Sequence, residues 1–155
     1  MRRFLYIMGA LALMLVATAV IGLGIFFYTG RSLDAESHAF VDTALPAITT
    51  GWSKQQLLDR ATPELREKLK PGQLEAFFDD ARSRLGALVE YQGATGGSVK
   101  SYIIGSGTTV SATYVAKARF QNGTATFRLV LMKRDGRWLI HNFRAEPTLG
   151  DGTTK

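Results

Sequence analysis

The spacing of apolar positions along the chain changes twice. From Phe4 to Tyr28 the residues "FLYIMGALALMLVATAVIGLGIFFY" contain no charged side chain. A helix of this length rises further than the roughly 30 Å of a bilayer's hydrocarbon core, so the segment suffices for one span with some tilt. From Leu33 the apolar residues recur at steps of three and four: Phe40, Val41, Ala44, Leu45, Ile48 and Trp52 form one face of a helix. After Gly86 the period becomes two, as in strands with one buried face.

The helical region carries its own punctuation. Pro46 falls inside the first helix and is expected to kink or end it there. Ser53 with Gln56 three residues later has the form of a capping box and opens a short helix through Leu57, Leu58 and Ala61. Thr62-Pro63 repeats the start signal, an N-cap followed by proline in the first turn. A last helix is predicted from about Pro71 to Leu85, with Leu74, Phe77, Phe78, Ala81 and Leu85 on one face and Gly86 as its stop.

Five strands are expected beyond it. "ALVEYQGA" and "SVKSYII" are separated by a glycine-rich turn at Thr95–Gly97, and Gly105-Ser106-Gly107 makes the next turn. Asn122-Gly123 and Asp135-Gly136 lie between alternating runs and predict two-residue hairpin loops. If Asn122-Gly123 is the first loop, Ala118 faces Phe127, Ala116 faces Leu129 and Tyr114 faces Leu131, small opposite large on a packed face. The other face then pairs Val115 with Val130 and Lys117 with Arg128. The second hairpin puts Ile140 opposite Leu131 and Phe143 opposite Arg128. Trp138, Ile140, Asn142 and Arg144 thus share the core side, and Leu139, His141 and Phe143 the other.

The expected fold class is α+β: an N-terminal transmembrane helix, then about three helices packed on a curved antiparallel sheet of about five strands. Helices first, then a meander ending in "MKRDGRWLIHNF", resembles the nuclear transport factor 2-like (cystatin-like cone) superfamily over roughly residues 35–146. Asp135-Gly136, Trp138 and Ile140 match the final hairpin common in that superfamily. The resemblance implies a cone-like domain. Its members include ketosteroid isomerases and many non-catalytic modules, some membrane-anchored in envelope complexes, so the fold does not choose the function.

Composition then sets the compartment. The absence of cysteine excludes disulfides, thiolate metal sites and a lipid-modified cysteine. Arg2 and Arg3 precede the apolar run and place the N-terminus in the cytoplasm. Ala17-Thr18-Ala19 has the form of a signal-peptidase site, but cleavage there leaves "VIGLGIFFY" as an apolar terminus, so a retained signal-anchor is expected. Residues 1–30 are the cytoplasmic tip and anchor, 31–146 the domain and 147–155 a flexible tail. The expected location is the cytoplasmic (inner) membrane, single-pass, with the domain periplasmic or extracellular and the bilayer contacted by residues 4–28. The net charge of +6 falls to about +4 without the leading arginines, which does not argue for nucleic acid.

No catalytic signature, metal-ligand spacing or cofactor motif is present, so no catalytic, metal or cofactor-binding residue is assigned. His38 has no partner histidine and is expected in solvent. An isomerase-like site draws on Asp42 with Tyr102 or Tyr114. The candidate pocket is Tyr102, Tyr114, Trp138, Asn142 and Arg144, the last two at the mouth of the cone. The candidate partner face is Val115, Lys117, Arg119, Arg128, Val130, His141 and Phe143, an apolar stripe with a basic edge. A homodimer or an envelope protein partner is expected on it. The expected role is a non-catalytic interaction or assembly module of the cell envelope; the alternative is a small-ligand binder or isomerase-like domain using the cone interior.

Overall fold

The computed structural model describes residues 32–103 and 107–149, without the side chains of Pro71, Tyr102, Ile103 and Leu149. The expected span at residues 4–28, the turn at Gly105-Ser106 and the tail from residue 150 lie outside the described residues. The chain divides into two compact units, Met1–Ala35 and Glu36–Lys155. Among the described residues no helix is long and apolar enough to cross a membrane. The larger unit is α+β, with helices preceding one antiparallel sheet.

Four helices are described. α1 covers residues 32–49. Pro46 does not end it: Val41, Ala44, Leu45 and Ile48 are all fully buried, and this face outweighs the one backbone bond that proline forfeits. α2 (Lys54–Arg60) and α3 (Pro63–Lys68) start where the capping signals place them, Ser53 accepting from the Gln56 amide and Thr62 from the Leu65 amide. α4 (Pro71–Leu85) stops at Gly86, whose φ of 74° with ψ of −154° is a backbone conformation open essentially to glycine alone. Leu74, Phe78, Ala81 and Leu85 are buried, whereas Phe77 is 39% exposed, contrary to its expected place on the core face.

The sheet has four strands, not five, in the order β1 (Leu88–Ile103), β2 (Gly107–Phe120), β3 (Gly123–Arg134), β4 (Arg137–Leu149). The expected turn at Thr95–Gly97 is absent: β1 runs straight through it, Gly96 pairing with Tyr114. A Cβ built on Gly96 meets the Thr113 carbonyl oxygen at 2.0 Å and the Tyr114 Cα at 2.8 Å. The glycine therefore permits a close backbone approach inside a strand. β4 also continues through Pro147 and Thr148 to Leu149, past the point where a flexible tail was expected to begin.

The first hairpin turns one residue earlier than expected, over Gln121 and Asn122, so Phe120 pairs with Gly123. The connection after α4 explains the displacement: the Asn122 amide donates to the Leu85 carbonyl at 3.0 Å and the Gln121 amide to the Ala87 carbonyl at 3.1 Å. The register moves by two residues, so each side chain keeps its predicted face. Ala116 opposes Phe127, Tyr114 opposes Leu129 and Ala112 opposes Leu131, all buried. Asp135-Gly136 forms the second turn as expected, with φ of 50° and 75° and Arg134 opposite Arg137. Two ion pairs hold this hairpin to helices, Lys133 to Glu36 of α1 and Arg134 to Glu64 of α3.

Ile140 opposes Leu131 as expected, but Asn142 opposes Val130, leaving His141 as an extra residue. This bulge reverses the faces of the rest of β4. Its cause lies on the strand's outer edge, where Ala61 bridges Ile140 and the Thr62 amide donates to the Ile140 carbonyl at 2.9 Å. Phe143 thereby turns to the core side, opposite Leu129 and 5.8 Å from the Phe127 ring.

Gly96→Ala is expected to destabilise the chain by about 2 kcal/mol or more. Gly72→Ala, on open α4 surface with nothing within 4 Å, is expected to stabilise it by about 0.5 kcal/mol. Thermal melts of the two variants check both signs.

The hairpin clamps give a pH dependence. The Lys133 hydrogen bond holds the Glu36 carboxyl below its ordinary 4.5, and a backbone amide, then Arg134, does the same for Glu64. A depressed native pKa contributes stability above pH 4.5 that is lost as acid protonates the folded carboxylates. The Glu36→Gln, Glu64→Gln double variant is expected to melt lower at pH 7 and to lose less on acidification below pH 4.5, read from melting temperature across pH.

Candidate functional site

Three places bring polar or exposed apolar groups together. The first joins α1 to β1 and β2. His38 and Asp42 are one helical turn apart, Nδ1 to Oδ2 at 2.9 Å. His38 Nε2 donates to the Ala94 carbonyl at 3.0 Å, and the ring lies edge-on to Tyr114 with centroids 5.7 Å apart. Tyr91 donates its hydroxyl to the other Asp42 oxygen at 2.8 Å, and the Tyr114 hydroxyl meets Ser37 at 2.8 Å. Burial first, then the Asp42 carboxylate, pushes the Tyr91 phenol well above the ordinary tyrosine range.

Asp42 and Tyr114 are thus in one cluster, as nominated for an isomerase-like site, while the Tyr102 side chain lies outside the described residues. His38, expected in solvent, is its hub, and Tyr91 was not foreseen. The chemistry of the cluster is that of a tie. Both ring nitrogens and both Asp42 oxygens are engaged, and Tyr114 is 1% exposed. These bonds tie α1 to β1 and β2, while the His38 and Asp42 side chains remain 45% and 40% exposed. Among the described residues no group of three or more His, Asp or Glu side chains could hold a metal ion.

The second place is the outer face of the sheet. Val115, Val130, Met132 and Leu139 are half-buried there, and Val99 is 61% exposed. The bulge corrects the two candidate sets. Phe143 leaves the partner face for the core side, while Asn142 and Arg144 leave the pocket for the outer face and are exposed. The remaining pocket residue, Trp138, is 7% exposed, packed under Lys133. His141 occupies the bulge, its Nδ1 3.3 Å from the Thr62 hydroxyl.

Charges on this face pair differently from expectation. Lys117 opposes Thr126 rather than Arg128; Arg128 opposes Arg144. Arg128 is bonded to Glu146 at 3.2 Å and Arg119 to Glu90 at 3.3 Å. Among the described residues Lys117 and Arg144 have no carboxylate partner. In the middle of the face these four cations therefore stand with two carboxylates, Glu90 and Glu146, an excess of two positive charges there.

The third place is a cleft of about 250 Å³ between the helices and β4, which sequence reasoning missed. Leu57 of α2, Leu69, Leu74 and Phe77 of α4, and Phe143 of β4 form its apolar lining, and Lys68, Lys70 and Arg144 border it. Two sequence signals mark it. Adjacent Phe77 and Phe78 cannot both face one core from a helix. The lysines at 68 and 70 flank an apolar Leu69 in a connection between helices. Arg144 also borders a shallower groove on the outer face, beside Arg128, Val130 and Asn142.

Asp42→Asn is expected to destabilise the chain by about 1–2 kcal/mol, more than Tyr91→Phe, because Asp42 serves two partners and Tyr91 one. Urea unfolding midpoints of the two variants decide the order.

The chain matches no family model, no curated protein and no solved structure.

Proposed function

We propose that this chain is a membrane-anchored, extracytoplasmic interaction module of the cell envelope, non-catalytic, with a cone-like domain that binds a protein partner through its outer sheet face. The anchor is residues 4–28, retained as a single span behind Arg2 and Arg3, with the N-terminus in the cytoplasm. The helices-then-sheet order and the Asp135-Gly136 hairpin are in keeping with a nuclear transport factor 2-like cone.

The observation that carries the reading is the composition of the outer face. Half-buried Val115, Val130 and Met132 adjoin Lys117 and Arg144, cations without a carboxylate of their own. Apolar area bordered by charge is what a specific interface uses. The excess of two positive charges selects an acidic partner, since a second copy would bring like charges together.

A photo-reactive residue at Val130 of the full-length chain in intact cells tests this. A protein adduct is expected, lost in the Lys117→Glu, Arg128→Glu double variant, whose two positions lie on the outer face alone. An adduct at twice the chain's own mass would assign the face to a second copy and overturn the acidic partner. Labelling confined to lipid would overturn the interaction reading itself.

A further inference from the structure

The cleft between α3, α4 and β4 lies away from the outer face and has a chemistry of its own. The geometry points to a second docking point, one that receives an acidic peptide segment of a protein partner by seating a single large apolar side chain between Phe77, Leu69 and Phe143. It rests on the reading of the domain as an interaction module, and adds where a partner's chain is anchored and what that chain must contain.

Size decides the kind of occupant. The cleft holds about 250 Å³ and is open along one side. Small-molecule sites are commonly about 300–1,000 Å³ and cover most of their ligand. A half-open cleft of this size accommodates one phenylalanine or leucine projecting from a longer chain, and an adjoining groove of about 390 Å³, which shares Leu69 and Leu74, runs on from it past Asp59 and Arg66. Such an anchor in an apolar pocket is how peptide segments gain most of their affinity.

Charge decides its neighbours. Lys68 and Lys70 border the cleft from the α3–α4 connection and Arg144 from β4, so cations stand on both sides of the apolar floor. No carboxylate lines it, and among the described residues none of the three has an ion-pair partner. Six other described cations also lack an ion pair, Arg60, Arg66, Arg82, Lys100, Lys117 and Arg137, so what marks these three is their place around an apolar floor. Carboxylates flanking the anchor would complete the rim and orient the segment.

Phe77 also argues for an occupant. It is an aromatic side chain 39% exposed on a helix whose other large apolar residues are buried, and its ring contacts Phe78 at 5.6 Å between centroids. The floor beside it exists because the His141 bulge turns Phe143 toward the helices.

The test uses the full-length chain in nanodiscs of zwitterionic lipid and a fluorescein-labelled peptide with one central phenylalanine flanked by glutamates. Saturable anisotropy binding is expected. It should weaken at least tenfold when the peptide's phenylalanine becomes alanine, and again in the Lys68→Glu, Lys70→Glu variant of the chain. Gln73→Glu, an exposed position on the cleft wall, should weaken binding without touching the core and guards against a variant that misfolds. Lys117→Glu, on the other face, should leave the peptide's affinity unchanged.

Absence of saturable binding to the unmodified chain, or equal affinity in the cleft variants, would overturn the cleft assignment while the Val130 adduct still stood for the sheet face. Loss of the Val130 adduct with peptide binding intact would do the reverse. If phosphatidylglycerol in the nanodiscs abolishes peptide binding to the unmodified chain, the cleft serves anionic lipid and the peptide proposal fails.

Discussion

The single extra residue at His141 organises both surfaces of this domain. β4 is an edge strand, and the α2–α3 connection docks on its open side through Ala61 and the Thr62 amide at Ile140. Satisfying that contact while β3 pairs on the other side requires one residue more on β4 than on its neighbour, which is a bulge. Everything beyond it changes sides. Phe143 gains the core and floors the cleft, while Asn142 and Arg144 gain the outer face. Without the bulge, the cleft would lose its floor and the outer face would present a phenylalanine in place of its unpaired arginine.

Charge follows the same logic. Arg119 and Arg128 each have a carboxylate on the outer face, and Lys133 and Arg134 fasten a hairpin to α1 and α3. Exposed pairs of this kind contribute little stability each, on the order of 1 kcal/mol or less. Among the described residues they leave other cations without a carboxylate, of which Lys68, Lys70 and Arg144 border the cleft while Lys117 and Arg144 lie on the outer face. Arg144 lines both the cleft and the outer-face groove.

How much was legible depended on whether the signal was local. Ser53, Thr62 and Gly86 fix helix ends through bonds within one or two turns, so the sequence pattern located them. The core parity of β2 and β3 also followed, because an even displacement of register leaves faces unchanged: Ala116 and Phe127 are buried although they pair with each other rather than with the partners expected. What failed depended on contacts distant in the chain. Gly96 looked like a turn because its need, a close approach to Thr113 and Tyr114, arises seventeen or eighteen residues away. Asn122-Gly123 yielded its turn to bonds from Gln121 and Asn122 to Ala87 and Leu85. His38 seemed solvated because Ala94 and Tyr114 reach it only after β1 and β2 pair. The bulge at His141 has no sequence mark at all, and with it went the assignment of Phe143, Asn142 and Arg144.

The remaining edge of the sheet argues against a third mode of association. A partner strand added to β1 would need a regular row of free amides and carbonyls. β1 carries register shifts between Leu88 and Glu90 and between Tyr91 and Ala94, with Gly93 at a φ of 90° beside the second. Such irregularities twist an edge and interrupt its hydrogen-bonding row. At the same point His38 occupies the Ala94 carbonyl and Tyr91 is bonded to Asp42, so the cluster that ties α1 to the sheet also closes part of this edge. The β4 edge is covered at Ile140 by Ala61 and Thr62. Backbone pairing is thus interrupted over residues 88–94 of one edge and blocked at Ile140 of the other, and at those points a partner is left to side chains, as it is in an apolar cleft rimmed by cations.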